Sequence, residues 1–156
     1  MTEEIIKELV GRIRLELDEI PRALDRMKEG WERARRTNDD YYLDGVALNL
    51  HGFYMGIERI LTIIAETVDG RLPRGENWHL LLLEQMMTEI PRVRPSVIST
   101  DTGRKLDEYR RFRHVVRNVY TYNFDPVKLG KLVNSAPELF VQTKAELLAF
   151  AAFLEQ

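Results

Sequence analysis

The residues best suited to chemistry are concentrated between Tyr109 and Tyr122, in the run Tyr-Arg-Arg-Phe-Arg-His-Val-Val-Arg-Asn-Val-Tyr-Thr-Tyr. At about 100° per helical residue, Arg113, Arg117 and Tyr120 fall within one narrow stripe. Arg110, His114 and Asn118 form a second stripe beside it, at i, i+4 spacing. Phe112, Val115, Val116 and Val119 supply an apolar face. Two readings follow. One is a basic helix surface, neutralised by Asp107, Glu108 and carboxylates elsewhere. The other is an anion site, in which planar guanidiniums hold a phosphate and a histidine moves a proton beside a tyrosine.

The remaining histidines are His51 and His79. His51 stands among Leu50, Gly52 and Phe53, where a hydrogen-bonded core histidine is expected. His79 follows Trp78 at a helix start and reads as a capping or structural group. Gly52 and Gly56 are spaced to let two helices approach closely, and Glu58 and Arg59 read as a solvated face or a partner contact. There is no glycine-rich phosphate loop, no paired-histidine metal motif and no Gly-x-Ser-x-Gly elbow, so neither a metal nor a cofactor is expected.

The elements that must position these groups are helical. The chain has 156 residues, 44% of them hydrophobic and 31% charged, which suits one folded domain spanning 1–156. With 23 basic and 25 acidic residues, bulk charge announces neither a nucleic-acid binder nor an acidic tail. The absence of cysteine removes disulfides, thiolate metal sites and cysteine nucleophiles together. No basic leader precedes an apolar core, and the longest uncharged run, residues 45–57, is too short to cross a bilayer. A soluble, cytoplasmic protein with no membrane association is expected.

Apolar residues recur at steps of three and four from Ile5 to Trp31, behind a Thr2 N-cap, which predicts a first helix to about Arg36 that Pro21 kinks or splits. A second helix is predicted from about Asp39 to Val68, closed by Asp69-Gly70. A shorter one spans Trp78 to Ile90, with Leu80 to Leu83 in the core. The basic helix begins after Ser99 and runs to about Tyr122. A last helix starts at Asp125-Pro126 and is bent or interrupted by Pro137. No alternating strand appears. The predicted class is all-α, a bundle of four long helices plus a shorter one.

Phe112-Arg113-His114-Val115-Val116-Arg117-Asn118-Val119-Tyr120, with Trp78-His79-x-x-Leu82-Leu83-x-x-Met86 upstream, resembles the HepT-like branch of the HEPN superfamily. That superfamily's hallmark is an arginine followed four to six residues later by a histidine, often with a polar residue after the arginine. In HepT-like members a tyrosine stands two residues beyond the histidine. Arg113 matches the arginine, His114 the polar position and Tyr120 the tyrosine, while Asn118 stands where the histidine belongs.

The resemblance implies a homodimer whose motif helices line one cleft, and metal-independent RNA cleavage in which a ribose 2′-OH attacks the adjacent phosphorus. It makes Arg113, Asn118 and His114 the catalytic candidates, Arg110 and Arg117 the RNA contacts, and Tyr120 the residue that a partner nucleotidyltransferase antitoxin of the MntA type modifies with AMP. Tyr122 is a second candidate for that modification. Asparagine hydrogen-bonds but does not titrate near neutral pH, so the resemblance also implies an alternative: a catalytically weakened subunit that binds RNA or the nucleotidyltransferase without cutting. His114, one turn earlier on the same face, is the candidate to replace the missing histidine.

Overall fold

Five α-helices account for most of the molecule, which is described over residues 1–120 and 123–156 of a computed structural model. They are α1 (Glu3–Thr37), α2 (Tyr42–Ile64), α3 (Trp78–Met87), α4 (Thr100–Asn118) and α5 (Pro126–Leu154), with a π-helical turn at Ala65–Asp69 after α2. Four are long and α3 is short, as the periodicity predicts, and no strand occurs among the described residues. The caps are those the sequence announces. The Thr2 and Ser99 side chains accept from the backbone N–H three residues on, and Asp125 caps α5 with Pro126 in its first turn.

Neither internal proline divides its helix: α1 runs unbroken through Pro21 and α5 through Pro137. Each proline forfeits one backbone hydrogen bond, but buried side chains continue on both sides of it. Leu17, Ile20 and Leu24 flank the first, and Val133, Ala136, Leu139 and Phe140 the second. The second helix is shorter than its apolar pattern predicts, because its last turn widens into the π-turn before Gly70 adopts a left-handed conformation. The basic helix is also shorter. Val119 is extended, so Tyr120 lies beyond α4 instead of completing a stripe with Arg113 and Arg117. Tyr122 lies outside the described residues.

The core is one cluster to which all five helices contribute. α1 packs along α2, with α5 against both, while α4 contacts α2, α3 and α5. A Cβ on Gly56 would sit 2.8 Å from Ile20 Cγ1, so the predicted close approach of α1 and α2 holds there; at Gly52 the nearest side-chain atom is 4.0 Å away, and the contact is ordinary. Leu82 and Leu83 are core, whereas Leu81 is exposed and Leu80 half-buried, correcting the expectation for that run.

Two polar anchors fix α4. At its start, Glu146 of α5 accepts from the Ser99 N–H at 2.6 Å and from the Thr102 hydroxyl at 2.6 Å. In its middle, the buried Tyr109 hydroxyl donates to the Leu132 carbonyl at 2.7 Å, and its ring meets Phe53 edge-on with centroids 5.4 Å apart. The segment after α2 is held by a buried ion pair. Arg94 donates to both oxygens of Asp69 and to the carbonyls of Gln85, Thr88 and Pro95. Both side chains of the pair are fully buried, so its worth depends on all these bonds being made. Burial alone would raise the Asp69 carboxyl, but the hydrogen bonds from Arg94 and Gln85 outweigh it and hold it below the ordinary carboxylate range.

Candidate RNA-cleaving site

The two readings of the basic helix divide along it. Arg110 and Arg111 both pair with Asp107, Arg111 at 2.8 Å, so this part is the neutralised surface. The two guanidiniums hold the Asp107 carboxyl below its ordinary range, against the opposing effect of burial. Among the described residues, no carboxylate lies within 4 Å of Arg113 or Arg117, and Arg113 is turned inward.

What Arg113 meets is a polar seam between α2, α3 and α4. Its Nη1 contacts His79 Nε2 at 2.9 Å, and His79 Nδ1 contacts Glu58 Oε2 at 2.8 Å. Arginine can only donate, so the protons fall in one order: Arg113 donates to Nε2, and Nδ1–H donates to Glu58. A neutral imidazole thus bridges a buried carboxylate to a guanidinium. The Glu58 residue is 2% exposed and the His79 side chain 16%, so the chain runs from the interior to the edge of solvent. The indole of Trp78 lies against the imidazole, with ring centroids 3.7 Å apart.

Glu58 is therefore no solvated residue, in contrast to the sequence expectation. Its neighbour Arg59 does reach the surface, where it pairs with Glu16 at 2.7 Å. His51, Tyr54 and Glu58 follow one another at i, i+3 and i+7, a spacing that places them on one face of α2. His51 is only half-buried and its Nδ1 has no hydrogen-bond partner, which corrects the expectation of a satisfied core histidine. Burial, then the nearby charges of Arg113 and Arg117, push its imidazole below the ordinary histidine value. The Tyr54 hydroxyl is buried beside the Glu58 carboxylate without a hydrogen bond of good geometry; burial and that negative charge raise its ionisation far above the usual tyrosine value. Arg113 Nε is likewise buried and unpartnered. The seam thus contains three polar atoms whose hydrogen-bonding capacity is unused.

Beside the seam a groove of about 530 Å³ opens, with Arg113, Glu58, Trp78, Arg12 and Arg59 among its lining residues. Its volume is in the range of small-ligand sites, about 300–1,000 Å³. His114 and Asn118 stand elsewhere, roughly 100° and 140° round the helix from Arg113. Both are exposed, and the Asn118 amide donates to the His114 carbonyl at 2.8 Å and meets its Nδ1 at 3.2 Å. The structure therefore gathers Arg113 with Glu58 and His79, and sets His114 and Asn118 apart as a second pair. Tyr120 is 72% exposed beyond the end of α4, and Arg117 is exposed in the helix's last turn. Among the described residues, no group of His, Cys, Asp and Glu is arranged to hold a metal ion.

Sequence reasoning missed Glu58, Tyr54 and the place of His79 between Glu58 and Arg113. The i, i+3, i+7 spacing of His51, Tyr54 and Glu58 was the available signal, because three polar residues on one stripe of an otherwise apolar helix need a common partner.

An all-α bundle of four long helices and a shorter one is consistent with a HEPN-type domain. A family model described as HepT-like protein matches residues 45–154, well over half of the chain, and the chain belongs to the HepT-like family. The match includes Glu58, His79 and the whole of α4. Membership gives a toxin-type relationship at the level of the family. No curated protein and no solved structure matches the chain.

Proposed function

We propose that this protein is the toxin-type component of a toxin–antitoxin pair, a single domain that works in the cytoplasm as a homodimer cutting RNA without a metal ion. The observation that carries the reading is Arg113: a guanidinium with no carboxylate partner among the described residues, held at one nitrogen by His79 and facing a groove. Such a group is placed to stabilise charge developing on a phosphate during attack by the ribose 2′-OH. Arg117 adds phosphate attraction, and Arg110 contributes more weakly because Asp107 already occupies it. Asn118 and His114, exposed at the end of the same helix, contact the ribose or an adjacent phosphate. A partner nucleotidyltransferase transfers AMP to Tyr120, placing negative charge and bulk beside Arg117, where RNA would otherwise bind.

A second reading is favoured by one residue. Asn118 stands at the family's histidine position, and a group that does not titrate suits a subunit that binds RNA or the nucleotidyltransferase without cutting. Incubating the purified chain with labelled single-stranded RNA separates the two. Cleavage that disappears in Arg113→Ala is the expected result. Arg113-dependent binding without cleavage selects the second reading, and neither activity removes both.

A further inference from the structure

We propose that His79, oriented by Glu58, is the proton-transferring histidine of this site, supplied by α3 in place of the one that α4 lacks. The inference rests on the RNA-cleaving reading and assigns the group that moves the proton in it.

The geometry is that of an oriented base. Glu58 accepts the Nδ1 proton at 2.8 Å, which fixes the tautomer with its lone pair on Nε2 and leaves a carboxylate in place to stabilise the imidazolium. That lone pair points at Arg113, the residue with the best claim to the phosphate, at 2.9 Å. Neither His114 nor Asn118 has such support: both are exposed, and each engages the other. The imidazole retains access to solvent, and Trp78, stacked on it, lines the adjoining groove with a flat apolar face suited to a nucleobase.

When RNA binds, its phosphate draws the Arg113 N–H off His79, and the freed Nε2 receives the neighbouring 2′-OH. The 2′-oxygen then forms its bond to phosphorus as the bond from phosphorus to the 5′-oxygen breaks. The 2′-OH proton passes to Nε2, and the departing 5′-oxygen takes a proton from water. The imidazolium returns its proton to solvent, leaving a 2′,3′-cyclic phosphate and a 5′-hydroxyl. The imidazole touches Glu58 from α2 and Arg113 from α4; around those two, Tyr54 on α2 feels Glu58, Arg110 and Asp107, and His51 on α2 feels Glu58, Arg113 and Arg117.

The test is the pH dependence of single-stranded RNA cleavage by the full chain and three variants. His79→Gln is the decisive one, because its amide can still donate to Glu58 and accept from Arg113 but cannot carry the proton. The expected result is a loss of about 10²–10⁴-fold with the acid limb of the profile gone, and an unchanged melting temperature. Glu58→Gln, which removes the negative partner, moves that limb to lower pH. Asn118→His, which puts a histidine back on α4, is the third. Cleavage that still depends on Arg113 but survives in His79→Gln shows that His79 only positions the arginine. That result overturns the inference and leaves the RNA-cleaving reading intact. An acceleration of 10²–10⁴-fold in Asn118→His overturns it equally, placing proton transfer on α4. A parent chain that binds RNA without cutting it removes the RNA-cleaving reading, and the assignment with it.

Discussion

Arg113 has to be an arginine. In the free chain one of its N–H groups rests on His79, and only a planar fork can hold that contact and then meet a phosphate with two parallel donors, which the point charge of a lysine does not offer. Arg113→Lys is therefore expected to lose RNA affinity almost as fully as Arg113→Ala while leaving the melting temperature unchanged. Each lost phosphate contact should also flatten the salt dependence of single-strand binding by a slope of about 0.7. Fluorescence anisotropy across a salt series measures both, and a lysine variant that binds like the parent would remove the guanidinium from the contact. At Tyr120, mass spectrometry should find AMP increments after incubation with the partner nucleotidyltransferase and ATP, and none in Tyr120→Phe; increments that persist in the variant move the site, with Tyr122 next to test. The spacing of Arg113, His114, Arg117 and Asn118 was legible in the sequence because it is local to one helix. Glu58 and His79 were not: a carboxylate beside an arginine reads as surface, and only the packing of α2, α3 and α4 turns it inward to its partner.

The elements were more legible than their ends. Hydrophobic periodicity and the capping residues Thr2, Ser99 and Asp125 located the five helices, because those signals act within a few residues. The termination of α4 at Asn118 was not legible, since Val119 and Tyr120 continue the helical pattern that the backbone abandons. Nor was the π-turn at Ala65–Asp69, which delivers Asp69 to Arg94, twenty-five residues later in the chain. That anchor gives a prediction. Asp69→Asn leaves the Arg94 charge buried with only neutral acceptors, which should cost about 3–5 kcal/mol of stability in urea unfolding. The pH dependence follows from the lowered Asp69 carboxyl. Its contribution is present above the unfolded value of about 3.9 and is lost as pH falls through the lower folded value. The urea midpoint difference between parent and variant should hold near neutral pH and shrink below about pH 4. An Asn variant as stable as the parent at neutral pH would mean that the pair does not anchor this segment.

At the scale of the whole molecule, no helix among the described residues is long and apolar enough to cross a membrane, and the formal net charge is −2. For a nearly neutral chain, the proposed attraction of RNA needs a local field. Two copies that bring their Arg113 and Arg117 together would create one. Val115 in the last turn of α4 and Val119 just after it, each 37% exposed, offer an apolar contact for a second copy. Light scattering at micromolar concentration should give a mass near twice 18.3 kDa, and Val115→Glu should shift it toward the monomer; a parent monomer at that concentration would leave each cleft with one set of arginines. In the proposed reaction Arg113 acts on a phosphate next to a ribose 2′-OH. A DNA oligonucleotide containing a single ribonucleotide tests that most directly. The parent should cut it only at the phosphate 3′ to that ribose, leaving a 2′,3′-cyclic phosphate, while Arg113→Ala leaves it intact. Cleavage of the all-DNA strand, or cleavage by Arg113→Ala at the parent's rate, would contradict the account.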